Sequence, residues 1–223
     1  FDRFTDSLAH RGPDGRGVFL DDKSCLALGH RRLSILGRGQ LGAQPMSYES
    51  ERYWIVHNGE IYNHEDLQKQ LQRSGHRFVT RSDTEVLVHG YEEWGIEGLL
   101  ARIEGMFALA IVDRKENQLH LARDRFGEKP LYLRSKPGEL SFSSDLKTLV
   151  QALGLRTEID PLSLRRYLAL HYIPGNRSII KGVERLLPGE RAVADLADLK
   201  LRKHRYYEGI PDNREDFDPE HLR

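Results

Sequence analysis

The six residues Phe107-Ala108-Leu109-Ala110-Ile111-Val112 carry no polar side chain at either parity. A strand sends successive side chains to opposite faces, so a run apolar at both parities must be covered on both sides. Around this run, strand and helix patterns come in blocks and do not alternate. That arrangement points to antiparallel sheets with helices outside them, an α+β chain.

The spacing predicts the remaining elements. Residues 1–9 read as the end of a helix, halted by the turn signal His10-Arg11-Gly12-Pro13-Asp14-Gly15. Strand patterns follow at 17–20 and 25–35, then a glycine-rich loop over 37–47 and a strand at 53–57. Helical spacing covers 63–73 and 83–94, the second opened by Ser82 and Glu85 as a capping box. Residues 105–113 and 118–123 form a hairpin, strands lie near 130–134 and 139–143, and a helix near 145–153. Beyond residue 155 the texture changes: Asp160-Pro161 opens a helix with a cap and an N1 proline, running to about Tyr172. A basic, aromatic segment at 200–207 reads as a charged edge strand, and the polar tail 211–218 follows.

Composition narrows the class. The chain has 223 residues, 39% hydrophobic and 30% charged, which suits a globular domain. Thirty-four basic residues balance thirty-four acidic ones, so no electrostatic case exists for a nucleic-acid or anionic-membrane partner. No apolar run approaches the roughly 20 residues that a membrane span requires. The single cysteine, Cys25, excludes an internal disulfide framework and makes a reducing, cytoplasmic setting the expectation. Its place in a strand pattern reads as a small buried hydrophobe. The ten histidines are scattered without metal spacing, so no metal site is expected. Both ends read as cuts within something longer: the chain opens Phe1-Asp2-Arg3-Phe4, and its last residues resemble a helix start.

Three clusters could carry chemistry. His57-Asn58-Gly59-Glu60 follows a strand and precedes a helix, and could offer an amide, a backbone N–H and a carboxylate to one ligand. Two such N–H groups aimed at one oxygen form an oxyanion hole. An Asn-Gly hairpin turn is the commoner meaning of that dipeptide alone. Arg31-Arg32 at a strand end could grip a carboxylate through parallel hydrogen bonds, or be a solvated pair. Asp83 at a helix start could hold an ammonium, or simply favour the helix terminus.

Together, and in this order, these clusters complete a pattern. With HRGPDG at 10–15, GHRRLSI at 29–35, GAQPM at 42–46, NGEIYN at 58–63 and SDTEV at 82–86, the sequence resembles the glutaminase domains of class II, N-terminal-nucleophile amidotransferases. The likeness continues through GMFALAIVD at 105–113, ARDRFGEKPLY at 122–132 and FSSDLKTL at 142–149, and more loosely to residue 190, in the asparagine synthetase branch. It implies a four-layer αββα sandwich, here without its first strand. It also implies a glutaminase domain over 1–155, and over 156–223 the rest of that domain with a connector to an ATP-dependent synthetase domain in cis. By the same resemblance Arg32 binds the glutamine α-carboxylate, Glu60 and Asp83 hold its α-amino group, and Asn58 and Gly59 form the oxyanion hole. ATP and Mg²⁺ are implied for the synthetase domain alone, with no cofactor in this chain.

The family's nucleophile is an N-terminal cysteine whose free amine serves as base. The sequence begins after the corresponding strand, so residues 1–223 by themselves are expected to lack glutaminase activity. The unpaired sheet edge would favour self-association, as in a homodimer. A non-catalytic scaffold of the same fold is the alternative, weighed against by the intact Arg32, Asn58, Gly59, Glu60 and Asp83. The acceptor of the nitrogen is aspartate by family default, though sugars and peptides are amidated by similar chains. A different amidotransferase of this class is disfavoured by FGEKPLY and the synthetase-like tail. Two patterns are decoys: Gly37-x-Gly39-x-x-Gly42 lacks the following helix of a dinucleotide fingerprint, and Asn176-Arg177-Ser178 is a glycosylation sequon idle in the cytoplasm.

Overall fold

β5 (Gly105–Asp113) is covered on both faces as its composition requires, and every residue from Phe107 to Asp113 is buried. Phe107, Leu109 and Ile111 enter one core with Leu67 and Leu71 of α2 (His64–Arg73) and Val86, Leu87, Leu99 and Leu100 of α3 (Asp83–Arg102). Ala108, Ala110 and Val112 face a second core with Leu28, Leu131, Leu133 and Leu186. Small residues on this second face let the opposing strands approach closely, and large ones on the first fill the space beneath the helices. Each fully buried leucine or phenylalanine contributes about 1.5–3 kcal/mol.

The computed structural model describes residues 1–22, 24–33, 42–48, 51–154 and 158–209. Gly37 and Gly39 of the dinucleotide-like pattern, the end of the strand expected at 25–35 and the polar tail 211–218 lie outside the described residues.

Six antiparallel strands form the main sheet in the order β11 (Leu201–Arg205), β10 (Glu190–Asp195), β6 (Gln118–Arg123), β5, β4 (Tyr53–Ile61), β3 (Met46–Ser47). Opposite its second face lie the hairpin β1 (Gly15–Asp21)–β2 (Leu26–Arg32) and the antiparallel set β8 (Glu139–Ser143), β7 (Tyr132–Lys136), β9 (Glu184–Arg185). The layers are tied by the stacked rings of Phe19 and Trp54, 3.8 Å between centroids. Outside this second strand layer sit α1 (Asp2–Ser7) and α4 (Leu146–Ala152), joined by a 3.0 Å hydrogen bond from Ser7 to Thr148. α1 rests on β2 where Gly29 leaves room: a Cβ there would stand 2.3 Å from Thr5 Oγ1. Helices, sheet, strands, helices: this is the αββα sandwich.

Several local expectations need correction. β4 continues through Asn58 and Gly59 to Ile61, with Asn58 opposite Ala108 and Gly59 opposite Phe107, so Asn-Gly is not a turn here. Ser82 does cap α3, accepting from Thr84 N–H at 3.2 Å. Glu85, however, does not close a capping box: its carboxylate accepts from the Val79 and Thr80 N–H groups, both at 2.7 Å. α3 runs past Trp94 to Arg102, broken at Gly95, whose φ is +64°. Cys25 is neither in a strand nor buried; it sits exposed in the β1–β2 turn at φ +48°. α5 (Pro161–Leu170) starts as expected, Asp160 accepting from Ser163 N–H at 2.9 Å. β11 is indeed an edge strand bearing Arg202, Lys203, His204 and Arg205. Among the described residues no helix is long and apolar enough to cross a membrane.

Candidate active site at the edge of β4

β3 pairs with β4 only at Ile55 and Trp54. Beyond that point the outer edge of β4 is free of a strand neighbour among the described residues, and its main-chain groups turn to other partners. His57 N–H donates to the Gln44 side-chain oxygen at 2.6 Å, and Ile61 N–H donates to Asp83 Oδ2 at 3.1 Å. The His57 carbonyl lies 3.2 Å from His30 Nε2.

Phe107, opposite Gly59, exchanges both its main-chain bonds with Asp124 instead: its carbonyl accepts at 2.8 Å and its N–H donates at 3.3 Å. Gly59 and Phe107 are therefore a non-hydrogen-bonded pair, in which polar groups point away from the shared ladder. The Gly59 N–H thus lies on the outer edge, between the two N–H groups held by Gln44 and Asp83. Only glycine fits: its φ is +156°, and a Cβ would stand 2.0 Å from the Met106 carbonyl oxygen.

Side chains of β4 alternate, so Asn58 and Glu60 share the face of Trp54 and Val56, toward the second strand layer. The Asn58 Nδ2 is buried and has no hydrogen-bond partner among the described residues. An unpaired buried amide donor costs about 1–3 kcal/mol, so this one is a group held ready for an acceptor.

On the facing layer, Arg32 ends β2. The turn 10–15 packs flat against that strand because Gly12 has no side chain; a Cβ would meet the Arg31 carbonyl carbon at 2.4 Å. Arg31 is drawn aside, donating to the Gly12 carbonyl at 3.0 Å and lying 3.5 Å from Asp6. The Arg32 guanidinium instead lies over Gly42, where a Cβ would come 2.5 Å from Nη2.

One cavity of about 600 Å³ gathers Arg32, Asn58, Gly59, Glu60 and Asp83, all five residues expected at the site. Gln44 and Lys129, which the sequence did not single out, line it too, as does His57, which stood in the leading cluster without an assigned role. Gln44 bridges β4 to α3, since its Nε2 also donates to Thr84 at 3.2 Å. Its only signal was its place inside the GAQPM match. Lys129 is brought in by a loop wound on the fully buried Asp124, whose carboxylate accepts from Phe126, Glu128 and Lys129 N–H groups at 3.1, 2.9 and 3.0 Å.

Burial pushes the pKa of His57 below its ordinary value despite nearby Asp83, so its ring is neutral at pH 7. The cavity therefore sets the cations Arg32 and Lys129 with the anions Glu60 and Asp83. It can take a zwitterion, with Asn58 free to donate to a further oxygen of it. Nothing in this set is a metal-ligand cluster: three of its groups are cationic or amide nitrogens, which do not coordinate.

The fold, with two antiparallel strand layers between helices and a donor-rich strand edge at their junction, defines an amidotransferase domain of the N-terminal-nucleophile hydrolase type. The chain belongs to the glutamine amidotransferase domain family, whose model matches residues 1–207, and within it to the asparagine synthetase branch. It is 39% identical over 184 residues to asparagine synthetase [glutamine-hydrolyzing] 1 of Bacillus subtilis, covering 82% of this chain and 28% of that one. It is 32% identical to putative asparagine synthetase [glutamine-hydrolyzing] 2 of Methanocaldococcus jannaschii, covering 97% of this chain and 44% of the relative. The chain thus spans under half the length of these curated relatives. Among solved structures, glutamine phosphoribosylpyrophosphate amidotransferase from B. subtilis shares the fold, with a TM-score of 0.67 at 20% identity over 93% of this chain and 46% of that one.

Proposed function

We propose that this domain binds glutamine and, in the intact protein, hydrolyses it to glutamate and ammonia for an ATP-dependent amidation carried out by a synthetase domain in cis. The orphaned Asn58 amide beside the Gly59 N–H is the observation that carries the reading. In it, Arg32 grips the α-carboxylate through its fork. Glu60 and Asp83 hold the α-ammonium, and the side-chain amide oxygen lies between Asn58 and Gly59.

A cysteine thiolate attacks the amide carbon, its proton passing by way of its own α-amine to the leaving ammonia. The thioester is then opened by water. Asn58 and Gly59 stabilise the negative oxygen in both steps. Cys25 is not that nucleophile: it has no free α-amine, and it lies in the β1–β2 turn. The nucleophile belongs to a strand seated between β2 and β8, each of which pairs on one side only among the described residues and lines the cavity.

A synthetase partner is supported by α5, which exposes Leu164, Tyr167, Leu168 and Leu170 along one side, with Tyr172 just beyond. A contiguous apolar face of this kind marks an interaction surface. ATP, Mg²⁺ and the acceptor carboxylate, aspartate by default, belong to that partner, and the setting is cytoplasmic. The scaffold alternative leaves the buried Asn58 donor without a purpose.

The deciding measurement is Arg32→Ala in the intact protein. Loss of a charge-assisted pair costs roughly 1.5–3 kcal/mol, so KM for glutamine rises at least tenfold, while synthesis from added ammonia is retained. An equal fall in both activities makes Arg32 structural and removes it from the site.

A further inference from the structure

The connection between α2 and α3 holds a side-chain cluster that glutamine chemistry does not use. His76, past the end of α2, and His89, in the first half of α3, set Nδ1 against Nδ1 at 3.0 Å. A Glu92 oxygen lies 3.8 Å from the same His76 nitrogen, and one ligand atom from each of the three residues falls within 4.8 Å of the others. His89 and Glu92 are one turn apart on α3, so they share a face. Histidine spacing along the chain gives no sign of this group, because the helix supplies two members and the preceding loop the third.

The far nitrogen of each ring faces a carboxylate. His76 Nε2 is 3.1 Å from Glu93, and His89 Nε2 is 3.7 Å from Glu85. The hydrogen bond to Glu93 favours the His76 tautomer with its proton on Nε2, and the Glu85 charge nearby favours the same tautomer of His89, without a hydrogen bond among the described residues. Both Nδ1 atoms then present lone pairs to one another, beside the Glu92 carboxylate. Three acceptors converging without a donor repel, and the His89 ring itself is fully buried. Its ring is also held in place by Tyr48 at 4.2 Å and Phe78 at 4.4 Å between centroids. His76 is held from behind by a carboxylate at hydrogen-bond distance, as metal-ligating histidines are, while Glu85 stands behind His89 as a charge beyond that distance.

We propose that His76 Nδ1, His89 Nδ1 and Glu92 bind one divalent cation of the zinc type, with a water in the fourth position. Two imidazoles and one carboxylate select zinc, or its neighbours cobalt and nickel, over the hard ions Mg²⁺ and Ca²⁺. The competing occupant is a proton shared by the two Nδ1 atoms, which satisfies the same geometry without metal.

The test is Zn²⁺ competition against a chromophoric chelator, using tag-free, metal-stripped protein. Wild type binds one Zn²⁺ per chain in a site that also gives the visible absorption of tetrahedral Co²⁺, and Zn²⁺ but not Mg²⁺ raises Tm. His76→Ala, at a partly exposed position, loses the site, and Glu93→Gln weakens it about tenfold by removing the support behind His76. The unliganded Tm of His76→Ala, compared with wild type, guards against simple misfolding. Equal Zn²⁺ affinity in wild type and His76→Ala, or no binding by folded wild type, overturns the metal and leaves the shared proton.

Discussion

Asp83 accepts the main-chain N–H of Ile61 at 3.1 Å, so the first residue of α3 fixes the outer edge of β4 two residues from Gly59. One carboxylate oxygen is committed to that edge, and the residue also lines the cavity. Position and charge are therefore two separable contributions of a single side chain.

Asp83→Asn separates them. An amide oxygen still accepts from Ile61 N–H, so Tm stays within a few degrees of wild type. The charge facing the substrate ammonium is gone, and KM for glutamine rises about tenfold or more. Steady-state kinetics with melting curves on the intact protein decide this. Unchanged KM in the Asn variant leaves Asp83 with the structural role alone.

Asn58→Ala is the corresponding test of the oxyanion donor. Because residue 58 lies in a strand, alanine, not a turn-favouring glycine, is the conservative truncation. Deleting one such donor lowers kcat by about 10²–10³, with KM within a few-fold because the contact strengthens only as charge develops. Turnover within about threefold of wild type would take Asn58 out of the mechanism.

Gly59→Ala probes the tight approach of β4 to β5. The added methyl meets the Met106 carbonyl oxygen at 2.0 Å and Phe107 Cα at 2.8 Å, both main chain and unable to move aside. Urea unfolding is expected to show a loss of at least about 2 kcal/mol. Gly75→Ala is the control, since its φ is also positive, +99°, but nothing among the described residues stands within 4 Å. Equal losses in the two variants contradict the close approach at Gly59.

Stability falls in mild acid. Burial lowers His30 and His120 to about 4 and also lowers His57. Between the unfolded value of 6.5 and those folded values, the unfolded chain binds more protons, so stability is complete above pH 6.5 and declines toward pH 4. Each histidine contributes a slope of up to about 1.4 kcal/mol per pH unit. Chemical unfolding measured from pH 7 to 4.5 checks the sign, and a flat profile across that window contradicts it.

Much of the scaffold was legible because its signals are local. The double-sided apolar run fixed β5 and its cover, and Asp160-Pro161 announced α5. The misreadings share a cause, which is that distant partners override local preference. Asn58-Gly59 has turn chemistry, yet nine successive pairings with β5 hold it extended. Glu85 stands where a capping box wants it, but two N–H groups of the incoming loop are better placed partners. Cys25 gave no sign of its positive φ. The site was readable only as a family pattern, since no spacing rule brings an arginine ending β2 beside an aspartate starting α3.

β10 adds to the main sheet against β6, Ala192 facing Leu121. About seventy residues of synthesis separate those partners, roughly 4–14 s at ordinary ribosomal rates. Throughout that interval the edge of β6, with Leu119 and Leu121, has only β5 beside it. A nascent chain in this state exposes an apolar, hydrogen-bonding edge to every other copy on the same message. Translational pausing just before codon 190 should therefore lower soluble yield more than pausing at codon 206, where both β10 and β11 have been made.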